Sequence, residues 1–493
     1  MQKRIISILF LVILLFSAVS CATEKTDENT TDNSQTTTPD VTDEPFDPKL
    51  EAINYNGETF LILARDGPMY KGDYEEFDVS GENLGQTVNT AVYKRNEYIT
   101  NKYNITLEYQ YETWNTIHQK TMELILANSA EFDIINGGPM FLFTMASNKG
   151  LLSADDIPHI NLKNPYWYES LHKDTSIGGK NYFLFSSMNV WTLHSVGAVM
   201  FNKSLIGDLK LENPYDLVAN NKWTYDKMLE MTKSASAESG DGVWDEKDRY
   251  GAVSTYAAVE TMFTGMGGTL IEKSSEDIPT ISYMKESNVD KIKKIVEYWS
   301  DTQSALLINR WPNYASPTGT NMMADVFNGE RALFVQELLY QLPGLTNNDF
   351  SVGIVPAPKF DESQENYYSF VHIAHSSAIA VPITCDRLDM VGRILEDMAY
   401  KSDSLVRYAY YDVNMKGRRV QDEESYELLD VIYNNIRMDI GIALQSSGFT
   451  AATKIRNLVF GSDLNIVSEL EEIKTADETA LNNIVSKIAG ISN

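Results

Sequence analysis

Cysteine is nearly absent: Cys21 and Cys385 are the only two in 493 residues. That count excludes a disulfide framework and any zinc site built from thiolates. Histidine is scarce too, and the six present never form His-Glu-x-x-His. There is no Gly-x-Ser-x-Gly elbow, no phosphate-binding loop and no Cys-x-x-Cys pair. The local signatures of zinc hydrolases, serine esterases, nucleotide hydrolases and thiol redox enzymes are therefore missing. Gly265-Met266-Gly267-Gly268 looks like a dinucleotide loop, but Leu270 stands where the last glycine belongs, and no cofactor is expected. Positive charge is the last shortage. With 41 Lys and Arg against 69 Asp and Glu, the net charge is −28 and no basic block stands out. Such a surface repels a phosphate backbone, so nucleic acid is not an expected partner.

The chain is 43% apolar and 11% aromatic, enough for a sizeable core everywhere except the first fifty residues. Residues 1–20 begin with Lys3 and Arg4, run apolar from Ile5 to Phe16, and end in Ser17, Ala18, Val19 and Ser20 before Cys21. This is the pattern of an export signal. The apolar run falls short of the roughly 20 residues that cross a bilayer. Small residues ahead of a cysteine resemble the bacterial lipobox, which implies lipidation of Cys21 as the first mature residue; Ala18 replaces the usual Leu, and plain secretion is the alternative. Residues 21–49 are rich in Thr, Asp, Glu, Ser and Asn. They read as a disordered acidic tether that holds a folded body off the membrane.

From there strands and helices alternate. Thr59 to Ala64, Ile105 to Tyr111 and Phe132 to Ile135 read as strands, with helices over Thr87 to Lys102 and Ile117 to Ala127 between them. This order predicts a parallel sheet covered by helices. A second set follows: strands over Val196 to Phe201, Arg331 to Gln336 and Ser351 to Val355, and helices over Trp223 to Lys233, Val289 to Trp299 and Asn321 to Asn328. A strand over Ile373 to Val381 and helices over Leu388 to Tyr400, Ser425 to Met438 and Val467 to Ile488 complete the chain. The expected fold class is α/β with two doubly wound lobes.

Three local patterns could carry chemistry. Ser239-Gly240-Asp241-Gly242-Val243-Trp244-Asp245-Glu246-Lys247-Asp248 resembles the later part of an EF-hand loop. Ser239, Asp241, Asp245 and Asp248 would offer side-chain oxygens, and Val243 its carbonyl, to a weakly held calcium ion. Ala237 fills the first ligand position and the last is Asp, so an acidic turn without an ion is the alternative. His372 and His375 lie three apart in a segment that reads as a strand, which places them on opposite faces and argues against zinc. The paired acids Asp155-Asp156 and Glu423-Glu424 could serve glycoside hydrolysis, but nothing in the sequence pairs two of them across a sugar.

The aromatic content is the strongest clue to a ligand. Seven Trp and 27 Tyr include several beside predicted strand ends, where open α/β sheets bind their ligands. Sugar rings present apolar faces and a rim of hydroxyls, so a sugar site needs aromatic planes together with hydrogen-bonding side chains.

Several segments, in order, resemble the extracellular solute-binding proteins of family 1, the sugar-binding components of ATP-driven importers. They are Gly179-Lys180-Asn181-Tyr182-Phe183, Val199-Met200-Phe201-Asn202-Lys203-Ser204-Leu205, Trp223-Thr224-Tyr225-Asp226, Phe327-Asn328-Gly329-Glu330-Arg331-Ala332-Leu333 and Val352-Gly353-Ile354-Val355-Pro356-Ala357-Pro358-Lys359. The resemblance implies a periplasmic-binding-protein-like fold with two lobes, a hinge and a cleft between them. Lobe 1 would hold residues 50–194 plus about 360–405, and lobe 2 residues 195–359 plus about 406–493. It implies a carbohydrate ligand, docking on an ABC-transporter permease, no enzymatic activity and a monomer on the outer face of the membrane; a peptide or other solute is the alternative ligand. Strand-end position and the resemblance together nominate Arg65, Asp66, Trp114, Gly138 and Met140 from the first lobe and Trp191 and His194 at the hinge. Tyr256, Met262, Gln336, Glu337 and Tyr340 would face them from the second lobe, with His375 nearby at a strand end.

Overall fold

The computed structural model describes residues 46–66, 74–79, 86–310, 322–346, 348–420 and 422–489. The export signal, Cys21 and nearly all of the predicted tether lie outside these residues. Strands β1 (Glu58–Arg65), β2 (Ile105–Glu112) and β3 (Ile134–Gly137) come first. They are followed by β4 (Gly197–Asn202), β5 (Tyr250–Ser254), β6 (Ile271–Lys273), β7 (Pro279–Ile281), β8 (Ala305–Leu307), β9 (Ala332–Leu338) and β10 (Val352–Val355). β11 (Ser369–Phe370), β12 (Ala378–Ala380) and β13 (Ile436–Arg437) close the series.

Two main sheets result. One has the order β12-β3-β1-β2, the other β10-β4-β9-β5-β8, with β6–β7 and β11–β13 as small separate pairs. In the first sheet β1 runs parallel to β2 and β3, while β12 returns antiparallel to β3. In the second, β5 is parallel to β8 and β9, and β4 is antiparallel to β9 and β10. Each sheet thus gathers strands distant in sequence.

Side-chain alternation along β1 explains its central place. Phe60, Ile62 and Ala64 pack with Ile99, Tyr103, Ile379, Val391, Leu395 and Met398 on one face, while Leu63 joins Val88, Val92 and Ile135 on the other. A period of two puts apolar groups on both faces of a strand covered from both sides. The covering helices are Thr87–Tyr103 and Leu388–Lys401, close to their predicted spans. Between Leu388–Lys401 and the helix Glu423–Asn434 the backbone widens into rare π-helical turns over Ser402–Arg407 and Ala409–Arg419.

Two predicted elements differ. The strand expected over Ile373 to Val381 starts only at Ala378, and residues 373–375 form a turn. The helix expected over Ser425 to Met438 ends at Asn434 and gives way to β13. β5, unannounced by the sequence, lies inside the second sheet, where the backbone of Thr232 crosses close to Gly251. A Cβ on Gly251 would sit 1.9 Å from the Thr232 carbonyl oxygen. Only glycine fits there.

Candidate functional site

The carboxyl ends of β1, β2, β3, β5 and β9 carry the residues that matter. Arg65 is the last residue of β1, yet it is buried and both of its terminal nitrogens are engaged. Its Nη1 donates to the Ala374 carbonyl at 3.2 Å, and its Nη2 donates to those of His375 and Ser376 at 3.3 and 2.6 Å. Its guanidinium lies 4.9 Å from the centroid of the Trp191 ring. Gly138 permits this approach, since a Cβ there would stand 3.3 Å from Nη1. Burial lowers the Arg65 pKa to about 10, against the opposing pull of Glu76.

Glu76 escaped the sequence reading because it sits in a short acidic run that looks like solvated loop. It is buried, and its Oε1 accepts from the Trp191 backbone N–H at 2.9 Å and from Ser377 Oγ at 2.6 Å, while Oε2 accepts from Asn136 Nδ2 at 2.7 Å. Burial raises its pKa even so. Trp191 Nε1 donates to the Tyr74 carbonyl at 3.0 Å. Arg65, Glu76, Trp191 and the turn 374–377 therefore form one buried polar knot that ties β1 and β3 to the crossover helix Val190–His194.

Aromatic contacts extend from this knot. Tyr340, just beyond β9, stacks on His375 with ring centroids 5.3 Å apart and meets His194 at 6.0 Å. His194 also packs on Tyr74 and Tyr410. His372 lies 4.5 Å from His375, ring to ring. The turn that replaced the expected strand brings the two imidazoles together. Burial keeps both neutral, pushing His375 down to about 4 with help from Arg65 and His372 well below its ordinary value.

The second sheet supplies carboxylates. Glu337, next to last in β9, accepts hydrogen bonds from Thr255 Oγ1 and, at 3.0 Å, from the Leu338 N–H. Burial drives its pKa up to about 7, with Glu260 adding to the rise. Glu260, on the helix Ala257–Gly265, pairs with Arg456 Nε at 3.2 Å. The Arg456 guanidinium lies over the Tyr256 ring at 5.6 Å and holds Gln445 Oε1 through Nη2 at 2.5 Å. Its charge also depresses His372, which joins this group to the Tyr340–His375 stack. Glu260, Arg456 and Gln445 had no sequence signal: nothing local distinguishes them from surface residues of helices.

The remaining nominees are Met140, Trp114, Asp66, Met262 and Gln336. Met140 accepts from Ser446 Oγ through its carbonyl at 3.2 Å. Trp114, exposed after β2, tilts over Phe141 at 6.1 Å, and Phe141 in turn stacks on His118 at 4.5 Å. Asp66 is exposed, with its backbone N–H bonded to the Glu112 carbonyl at 2.9 Å. Met262 and Gln336 belong to the helix Ala257–Gly265 and to β9. Both are fully buried: Met262 packs inside a helix without an exposed face, and Gln336 points across β9 from Glu337 toward Tyr298.

In the loop 239–248, Asp248 is buried, and its carboxylate accepts from the Ser239 and Asp245 N–H groups at 2.7 and 2.5 Å. The Asp241 Oδ1 accepts from the Val243 N–H at 2.9 Å and that of Asp245 from the Lys247 N–H at 2.8 Å. The carboxylates tie the turn to itself. Among the described residues no group of three or more His, Cys, Asp or Glu could hold a metal ion, and no helix is long and apolar enough to cross a membrane.

Comparison with known proteins follows this geometry. No curated protein matches the chain significantly. Solved structures do. A cyclic α-maltosyl-1,6-maltose binding protein from Arthrobacter globiformis is similar over 87% of this chain and 100% of its own, at 13% identity and a TM-score of 0.57. An ABC substrate-binding protein from Listeria monocytogenes, in complex with cycloalternan, covers 88% and 100% at 13% identity and a TM-score of 0.52. UgpB from Mycobacterium tuberculosis, in complex with glycerophosphocholine, covers 86% and 98% at 10% identity and a TM-score of 0.53. At these identities the likeness concerns the fold. The model of the family described as bacterial extracellular solute-binding protein matches residues 80–386, more than half of the sequence, and the chain belongs to that family.

Proposed function

We propose that this solute-binding protein captures a sugar or oligosaccharide between its two sheets and passes it to an ABC-transporter permease, while a lipid on Cys21 keeps it at the outer face of the membrane. The observation that carries the reading is the convergence of strand ends from both sheets on one aromatic and hydrogen-bonding group: His375 with Tyr340 beyond β9, and Tyr256 under Arg456, backed by the buried Arg65–Trp191 pair. Such a group offers flat apolar faces and polar atoms from two directions. Closure then depends on contacts that exist only when both sides engage the ligand.

One of the similar structures is in complex with cycloalternan and another is named as a cyclic α-maltosyl-1,6-maltose binding protein, which supports a carbohydrate. The glycerophosphocholine complex keeps a non-sugar solute as the second reading. One chain supplies both sheets, so a monomer suffices. A thermal-shift screen of the full chain against oligosaccharides, peptides and glycerophosphodiesters tests the proposal. A ligand at 100 times its Kd adds about 2.7 kcal/mol to stability. Stabilisation by an oligosaccharide that is recovered intact supports sugar capture without catalysis; stabilisation by peptides alone, or recovery of cleaved sugar, refutes it.

A further inference from the structure

Away from the strand ends, a cavity of about 360 Å³ gathers three distant parts of the chain. Its walls come from the end of the helix Glu169–Thr175, from the glycine turn at 267–268 together with β6, and from Tyr368 and residues 437–440 beside β11 and β13. Tyr256 stands at one end of the helix Ala257–Gly265 and the cavity lies beyond the other end, about 13 Å along the helix axis. The turn that resembled a dinucleotide loop serves as a wall: Gly267 has a φ of +67°, and a Cβ on it would stand 3.6 Å from Tyr368 Cε2. Two side chains here have unused polar capacity. The Arg437 side chain is 40% exposed, its Nε donates to both oxygens of Asp174 at 3.1 and 2.9 Å, and its guanidinium lies 5.4 Å from the centroid of the Tyr368 ring. Its Nη1 and Nη2 have no hydrogen-bond partner among the described residues. Asp439 is half-buried and accepts only from backbone N–H groups, those of Gly441 at 2.8 Å and Leu270 at 2.5 Å, and no Lys or Arg pairs with it among the described residues. The extended backbone from Ile436 to Asp439 turns Arg437 and Asp439 to one side, about 6.6 Å apart along the strand. Each feels the other's charge, yet the two lie beyond ion-pair distance.

We propose that this cavity is a second ligand site, separate from the strand-end group, and that it binds a free α-amino acid with the carboxylate on Arg437 Nη1 and Nη2 and the ammonium on Asp439. A guanidinium fork takes a carboxylate through two parallel hydrogen bonds. Asp439, whose pKa burial raises to about 6, gains from the ammonium the counter-charge that no side chain gives it. The ligand's own two charges cancel, so the balance of ionic groups around the cavity is unchanged. A lone anion would face Asp174 and Asp439, and a lone cation would face Arg437. Tyr368 and Ile271 supply an apolar wall, and the volume suits a side chain the size of leucine or methionine.

Titration calorimetry on the full chain tests this with leucine and methionine, set against N-acetyl-leucine, which lacks the ammonium, and leucinamide, which lacks the carboxylate. Leucine or methionine should bind at least about ten-fold more tightly than either derivative. A derivative that binds as well as the amino acid, or no binding of leucine and methionine, overturns the proposal. Arg437→Gln and Asp439→Asn should each weaken amino-acid binding at least about ten-fold; unchanged affinity in either variant is equally fatal. Should the variants fail to fold, a crystal structure of the wild-type chain grown with leucine decides. Leucine density between Arg437 and Asp439 supports the site, whereas density confined to the strand-end group, or none, overturns it.

Discussion

Replacing Arg65 with Met tests whether the polar knot at the end of β1 holds the fold or merely decorates it. The substitution keeps a long side chain beside Trp191 but removes the hydrogen bonds to the carbonyls of residues 374–376. It also takes the Arg65 charge away from buried Glu76, leaving Arg95 as a cation that still interacts with it. Hydrogen bonds from a charged donor contribute about 1.5–3 kcal/mol each, and they do not add fully within one network. The expected loss is therefore about 3–5 kcal/mol, read from the shift of the urea unfolding midpoint at unchanged slope. Adding Glu76→Gln to the variant should cost less than the sum of the two single changes, since the second change removes the charge that lost Arg65 in the first. A loss below about 1 kcal/mol for Arg65→Met, or strict additivity in the double variant, would show that the knot is not a coupled unit.

Trp191 is 5% exposed and bonded through Nε1, so Trp191→Ala should lower ligand-free stability by about 3–5 kcal/mol; an unfolding midpoint within about 1 kcal/mol of the wild type would mark the ring as a surface platform instead. Glu337 has its pKa raised by burial to about 7, so the folded state holds its proton more tightly than the unfolded chain does. Its stabilising contribution is complete below the unfolded value of about 4.3 and fades as pH rises through about 7, a change of roughly 3 kcal/mol. Glu337→Gln should flatten the pH dependence of the melting temperature in that window, and parallel pH profiles for the two proteins would refute the assignment.

Where the sequence spoke clearly, it did so through periodicity. β1 carries a continuous apolar run and the helices Thr87–Tyr103 and Leu388–Lys401 a repeat near four, and their apolar positions lie mainly on buried faces. The ordered segments that resemble the solute-binding family had the same local character. β5 was silent because Tyr-Gly-Ala-Val-Ser spends its second position on a glycine that serves a backbone crossing, a demand set by Thr232 nineteen residues away in the chain. The π-helical turns over 402–419 likewise announce nothing in advance; there Tyr410 and Asn414 meet Tyr74, more than 300 residues away in the chain.

The amino-acid sequence by itself determined the α/β class, the scarcity of reactive and metal-binding groups, and several strand-end residues, because these follow from composition and from short-range spacing. Only the tertiary structure decided that Arg65 and Trp191 are spent on a buried knot with Glu76, that Met262 and Gln336 lie in the core, and that Arg456 and Glu260 face each other. Each of those outcomes joins residues far apart in the chain. A side chain's partner across such a distance is chosen by how sheets and helices pack, and no local pattern of charge or hydropathy encodes that choice.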